Sequence, residues 1–367
     1  MTEFGDPTAG ERRRRLIGIK LTALVTEHLG TAPDGGSHAF GAGAGLVHDG
    51  GSWVLVDGAA DRSLGASLAW AIRNGPASLD LVAEAGGGLI ARRAAAFDFP
   101  IRVWFPEERS LLPVVADPLE APRDPDPEHL ALVGLIEEAG AVPHIERGVV
   151  TGEVRGLEVC RVVDEPTRGN FAELADVPTG HADPDAEQIA ARLAARDDDG
   201  VLLEVGVGAN DREAFQLLHG HRPTVEALSG VVSAVSDHRR VEARQHPLNR
   251  MAPERFLRWQ VERDPGMLGL ASLVHLDPPV DRLSMKHTEP CAALGVDRAG
   301  DSALVVFSVG VDLDLVAFVA DVLAHLEDPV ERVLVALPER DLLPIVHDLF
   351  ALMSRPIELV GIVVSST

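Results

Sequence analysis

Residues 53–105 read WVLVDGAADRSLGASLAWAIRNGPASLDLVAEAGGGLIARRAAAFDFPIRVWF. Three short apolar runs, Trp53–Val56, Leu79–Val82 and Ile101–Phe105, read as buried strands. The stretches between them, about Leu64–Arg73 and Leu89–Phe97, carry helical periodicity over lengths that suit crossover helices. Gly75-Pro76 supplies a stop signal for the first helix. A βαβαβ unit with parallel strands and right-handed crossovers is expected.

The same order returns near the C-terminus, with strands at Ala303–Ser308, Arg332–Leu337 and Ile357–Ile362 and helices at Leu313–Leu326 and Leu342–Met353. Pro100 and Pro356 both precede the third strand. The side chains of the two runs hardly match, so shared element order is the simpler account of the likeness. The fold class is therefore α/β, with two βαβαβ Rossmann-like modules flanking an α+β middle region. The expected segments are a largely flexible 1–45, an N-terminal module at 46–106, an acidic Pro-rich linker at 107–128, the middle region at 129–275 and the C-terminal module at 276–367. Gly41–Gly45 lacks the preceding strand and following helix that a dinucleotide loop requires, and Asp49-Gly-Gly with the strand after it reads as a hairpin.

Composition narrows the function classes. The 367 residues carry a net charge of −24, unevenly spread, with 8 basic against 22 acidic residues between 106 and 200. That field repels nucleic acid at long range. Two distant cysteines, Cys160 and Cys291, exclude a disulfide scaffold and a cysteine-rich zinc site, and fit a reducing cytoplasm. No apolar run reaches the roughly 20 residues that span a membrane. Arg12–Arg15 followed by Leu16–Val25 has the outline of a secretory signal, but Lys20 interrupts it and no cleavage pattern follows; an amphipathic surface helix is the expectation.

Candidate chemistry gathers at 200–222, GVLLEVGVGANDREAFQLLHGHR. An apolar strand bearing one carboxylate, Glu204, runs through Gly206 and Gly208 into a helix beginning near Asn210, with Asn210 and Glu213 spaced as a capping box. Such a turn presents unpaired N–H groups, so Gly206, Gly208, Asn210 and Arg212 are the candidate ligand-binding residues. No Walker or dinucleotide motif is completed there. His219 and His221 read as a helix C-terminus. Before it, two strand-like runs, Pro143–Val150 and Glu153–Val163, are expected to turn at Thr151-Gly152. They carry Glu146, Glu153 and Glu158 beside Arg161. Together with Glu204 these are the candidate catalytic residues, since carboxylates on adjacent strands can hold a divalent cation for phosphodiester hydrolysis. The helix, hairpin and acidic strand loosely resemble the PD-(D/E)xK nucleases, although no Pro-Asp precedes a strand and Glu158-Val-Cys-Arg161 departs from E-x-K.

Two functions follow as expectations. One is a non-catalytic binding or scaffolding protein whose modules meet a protein partner or a twin subunit. The other is an enzyme acting on a phosphate-bearing substrate, using a divalent metal as its cofactor.

Overall fold

The computed structural model describes residues 7–33, 35–75, 77–164, 201–219, 225–241, 246–279 and 289–363. The sequence reads a surface loop over Pro166–Glu187, a short helix over Ala186–Arg196 and a Pro-containing connection over Asp277–Lys286; the first two, most of the third, and His221 lie outside the described residues. The chain is mixed α/β. It opens with helix α1 (Pro7–Leu29), strands β1 (His38–Phe40), β2 (Gly43–His48) and β3 (Gly51–Val56), helix α2 (Leu64–Asn74), β4 (Ser78–Val82), α3 (Gly87–Ala94) and β5 (Ile101–Glu107). After β6 (Ser110–Pro113) come short helices α4 (Pro127–Leu130) and α5 (Val133–Glu138), then strands β7 (Val142–Glu146), β8 (Val149–Val154), β9 (Leu157–Val163) and β10 (Leu202–Val205). Helices α6 (Ala209–His219) and α7 (Val225–His238) follow. The final run is α8 (Pro253–Arg263), β11 (Leu270–Leu276), β12 (Cys291–Asp297), β13 (Ser302–Phe307), α9 (Leu315–His325), β14 (Arg332–Pro338), α10 (Pro344–Phe350) and β15 (Glu358–Ile362).

The first and last runs share eight elements in one order, α-β-β-β-α-β-α-β. Pairing agrees as well: β1–β2–β3 and β11–β12–β13 are antiparallel, while β4–β5 and β14–β15 are parallel. Each βαβαβ stretch read from the sequence is thus the second part of a longer pattern that starts with a helix and two antiparallel strands. The sheets are accordingly mixed and not purely parallel. Strand β12 was hidden because its run is rich in Gly and Ala, which carry little strand propensity.

Contacts divide the chain into two units, Met1–Glu120 with Gly310–Ile362, and Ala121–Val309. In the first, the sheet runs β1-β2-β3-β4-β5-β6. Asp49 and Gly50, both at positive φ, make the tight β2–β3 turn that the Asp-Gly pair announces. Helix α1 packs on this sheet through Leu21, Leu24 and Val25, against Leu46, Trp53 and Leu55. This ordered helix replaces most of the flexible segment expected over 1–45. Gly45 is required where it stands, since a Cβ there would lie 2.7 Å from the Trp70 indole. Helices α2 and α3 pack on α9, joined by the buried Arg93–Asp321 pair at 2.7 Å. Reciprocal bonds from Asp98 N to Leu352 O and from Ser354 N to Ala96 O, each 3.0 Å, tie together the turns after α3 and α10.

The second unit holds the antiparallel sheet β10-β9-β8-β7. Its turns are Arg147-Gly148 and Arg155-Gly156, all four residues at positive φ, as two-residue hairpins require. The expected turn at Thr151-Gly152 is instead the middle of β8. Gly152 is there because a Cβ would meet Cys160 Sγ at 2.6 Å and Ile136 at 2.7 Å. One face of the sheet is a dry core of Val150, Val154, Cys160, Val162, Leu203 and Val205 against Ile136, Leu228 and Val232 of α5 and α7.

A candidate functional site on the polar sheet face

Side chains alternate across a strand, so the residues between the core positions of β7–β10 share the opposite face. Register places His144, Thr151, Arg161 and Glu204 in one row across the four strands. The next row sets Glu153 opposite Glu158. Glu158 and Arg161 are three apart and would point to opposite faces of a regular strand. A one-residue slip between Gly152↔Cys160 and Glu153↔Glu158 is the bulge that brings both to the polar face. Glu146, Glu153, Glu158, Glu204 and Arg161, expected to gather, do share this face.

The face is buried, and its carboxylates are held by arginines. Glu153, 2% exposed, accepts from Arg255 Nη1 at 2.5 Å on Oε1 and from Arg258 Nη2 at 2.7 Å on Oε2. Arg255 Nη2 also donates to Glu146 Oε2 at 2.7 Å. Both arginines come from α8, whose Arg255 backbone seats against the tight turn at Gly156; a Cβ there would overlap Arg255 O. Burial opposes a charge on Glu153, but Arg258 and Arg255 outweigh it and hold the carboxyl well below its usual range. Farther along the sheet, Glu158 accepts from Arg161 Nε at 2.7 Å and from Arg212 Nη2 at 2.5 Å. Glu204 is fully buried opposite Arg161, where its charge helps raise the Arg161 pKa against the effect of burial.

Two histidines close the open edge. The rings of His144 and His275 lie 4.4 Å apart. His275 Nδ1 is 2.6 Å from Arg258 Nη1. A guanidinium only donates, so Nδ1 accepts and the ring proton sits on Nε2, which faces Glu146 Oε1 at 3.6 Å. Neither of those two atoms has a hydrogen-bond partner among the described residues. Burial and the neighbouring Arg258 push the His275 pKa down to about 2, and burial also lowers that of His144. Beneath lies Arg239, fully buried over the Phe256 ring and donating to the carbonyls of Arg155, Leu248, Met251 and Ala252.

At the glycine turn, Gly206 (φ 138°) donates to Val159 O at 2.7 Å and lets the chain double back onto α6. A Cβ there would stand 2.8 Å from Arg212 N. Arg212 N bonds Gly208 O, so α6 starts at Ala209. Asn210 is therefore inside the helix and not at its cap, which removes the expected capping box. The turn's structural consequence is to deliver Arg212 to Glu158.

Guanidinium groups take both oxygens of Glu153 and of Glu158, so those two carboxylates are poorly disposed to hold a divalent cation. Among the described residues no group of three or more His, Cys, Asp and Glu is placed to hold a metal ion. The sequence pointed to the acids and missed their partners, Arg255, Arg258, His144 and His275. A signal was present in Glu254-Arg255-Phe256-Leu257-Arg258, where arginines three apart interrupt a buried helix. No helix among the described residues is long and apolar enough to cross a membrane. No family model, curated protein or solved structure matches the chain.

Proposed function

We propose that this chain is a non-catalytic α/β binding or scaffolding protein, and that its polar layer fastens a helix onto a sheet instead of carrying out chemistry. The observation that supports this is Glu153, whose two oxygens are both taken by buried arginines of α8. A hydrolytic site would need carboxylate lone pairs free for a cation or a water. Two Rossmann-like modules, cut at 46–106 and 276–367 around a middle region at 129–275, remain our finer reading of the α/β halves. The β-α-β-α-β order that recurs inside both cuts supports it. A cytoplasmic location and assembly with a protein partner or a twin subunit belong to the same reading.

The test is calorimetry with Mn²⁺ together with hydrolysis of bis(p-nitrophenyl) phosphate in Mg²⁺ or Mn²⁺. We expect no saturable metal binding and no turnover above buffer. Metal-dependent hydrolysis abolished by Glu158→Gln or Glu204→Gln would restore the phosphodiesterase reading, with Glu146, Glu153, Glu158 and Glu204 as its carboxylates.

A further inference from the structure

Helices α1 and α8 open the two runs that share an element order, and each packs on the antiparallel strands that follow it. Both carry the pattern Glu-Arg-x-x-Arg: Glu11, Arg12 and Arg15 in α1, and Glu254, Arg255 and Arg258 in α8. Among the most deeply buried apolar residues are Leu257 and Val261 on α8, and Leu21 and Val25 on α1. At about 100° per residue, the arginine pair keeps the same angular offset from those residues on both helices, to within roughly 20°. On α1 it simply stands two turns nearer the N-terminus.

What covers the two faces differs. On α8, Arg255 and Arg258 grip Glu153 and Glu146. On α1, Arg12 and Arg15 are exposed, and neither makes an ion pair among the described residues. Between them and just beyond stand Leu16 (59% exposed) and Ile19 (57%). This cationic, partly apolar strip lies on a chain of net charge −24. Its neighbours are already engaged, since Arg13 pairs with Asp57 and Lys20 with Glu84.

We propose that the outer face of α1 docks a carboxylate-bearing segment of another protein, with Arg12 and Arg15 holding its acids as Arg255 and Arg258 hold Glu153, and Leu16 and Ile19 covering its aliphatic side chains. The chain thus contains its own example of the interface. Charge complementarity selects an acidic partner, and the apolar pair disfavours nucleic acid, whose backbone offers no aliphatic surface. The inference rests on the binding-protein reading and gives it a surface and a partner chemistry.

The probe is fluorescein-labelled poly-L-glutamate, followed by anisotropy with the full chain. Double-stranded DNA and vesicles of phosphatidylcholine with about one-third phosphatidylserine serve as competing anions. Arg12→Gln with Arg15→Gln is expected to weaken polyglutamate binding at least tenfold, and Leu16→Ser with Ile19→Ser severalfold. Arg14→Gln, which removes one such charge from the side of the helix that carries Leu21 and Val25, is expected to change it less than twofold. Equal losses for Arg14→Gln and Arg12→Gln would reduce the effect to bulk charge and overturn the proposal. So would preferential binding of vesicles or DNA, or self-association abolished by the double arginine variant, which would make the occupant a second copy. Circular dichroism of each variant guards against misfolding, to which these exposed positions are insensitive. Loss of α1 binding with no hydrolysis detected leaves the non-catalytic reading standing, whereas metal-dependent hydrolysis removes that reading whatever α1 does.

Discussion

Acid should unfold this protein through His275 before its carboxylates titrate. Burial and Arg258 hold that ring neutral in the folded state, with a pKa of about 2 against an ordinary 6.5. A base whose folded pKa is depressed takes up its proton only on unfolding. Between the two values the unfolded state binds one more proton, and stability falls as pH falls. Each pH unit is worth about 1.36 kcal/mol. From pH 6.5, where the unfolded ring is already half protonated, to about 4.5 the loss from His275 is therefore about 2.3 kcal/mol, and any folded pKa well below that range gives the same figure. His144, lowered by burial, acts in the same direction. The depressed carboxyl of Glu153 extends the loss below its ordinary value of 4.5. The assay is urea unfolding followed by circular dichroism at half-unit pH steps, for the native chain and for His275→Asn. The asparagine amide oxygen can still accept from Arg258, so the variant removes the titration while keeping that bond. Its slope should be shallower by about 1.4 kcal/mol per pH unit. Parallel slopes, or a His275 resonance that titrates near 6.5 in the folded protein, would refute the argument.

Other outcomes follow from the same geometry. Glu153→Gln strips two buried guanidinium groups of their shared counter-ion and should cost about 3–5 kcal/mol in urea unfolding, the range for breaking a buried pair; a change under 1 kcal/mol would show the layer to be solvated. Gly156→Ala adds a Cβ at positive φ that collides with Arg255 O, and should destabilise by at least about 1–3 kcal/mol, with slower migration on native gels if α8 lifts. Cys160 and Cys291 are buried thiols whose pKa values burial pushes up to about 12; both should react with a thiol-specific disulfide reagent only in denaturant, and fast labelling of the native chain at pH 8 would contradict their burial.

The sequence by itself determined the elements whose signals are local. Apolar runs between helical stretches located β3, β4 and β5 and their counterparts near the C-terminus. The carboxylates were legible too, because a charge in an apolar strand costs free energy wherever it lies and so marks itself. Register was not local. Thr151-Gly152 has turn composition, and only packing against Cys160 and Ile136 makes Gly152 a strand residue. A one-residue bulge, invisible in residue order, turns Glu158 toward the polar face. Nor could spacing reveal that the acids would be met by arginines about a hundred residues away. Glu153 and Arg255 are separated by 102 positions. The tertiary structure alone decides whether a carboxylate keeps its lone pairs for chemistry or gives them to a guanidinium, because that outcome depends on which helix lies over the sheet.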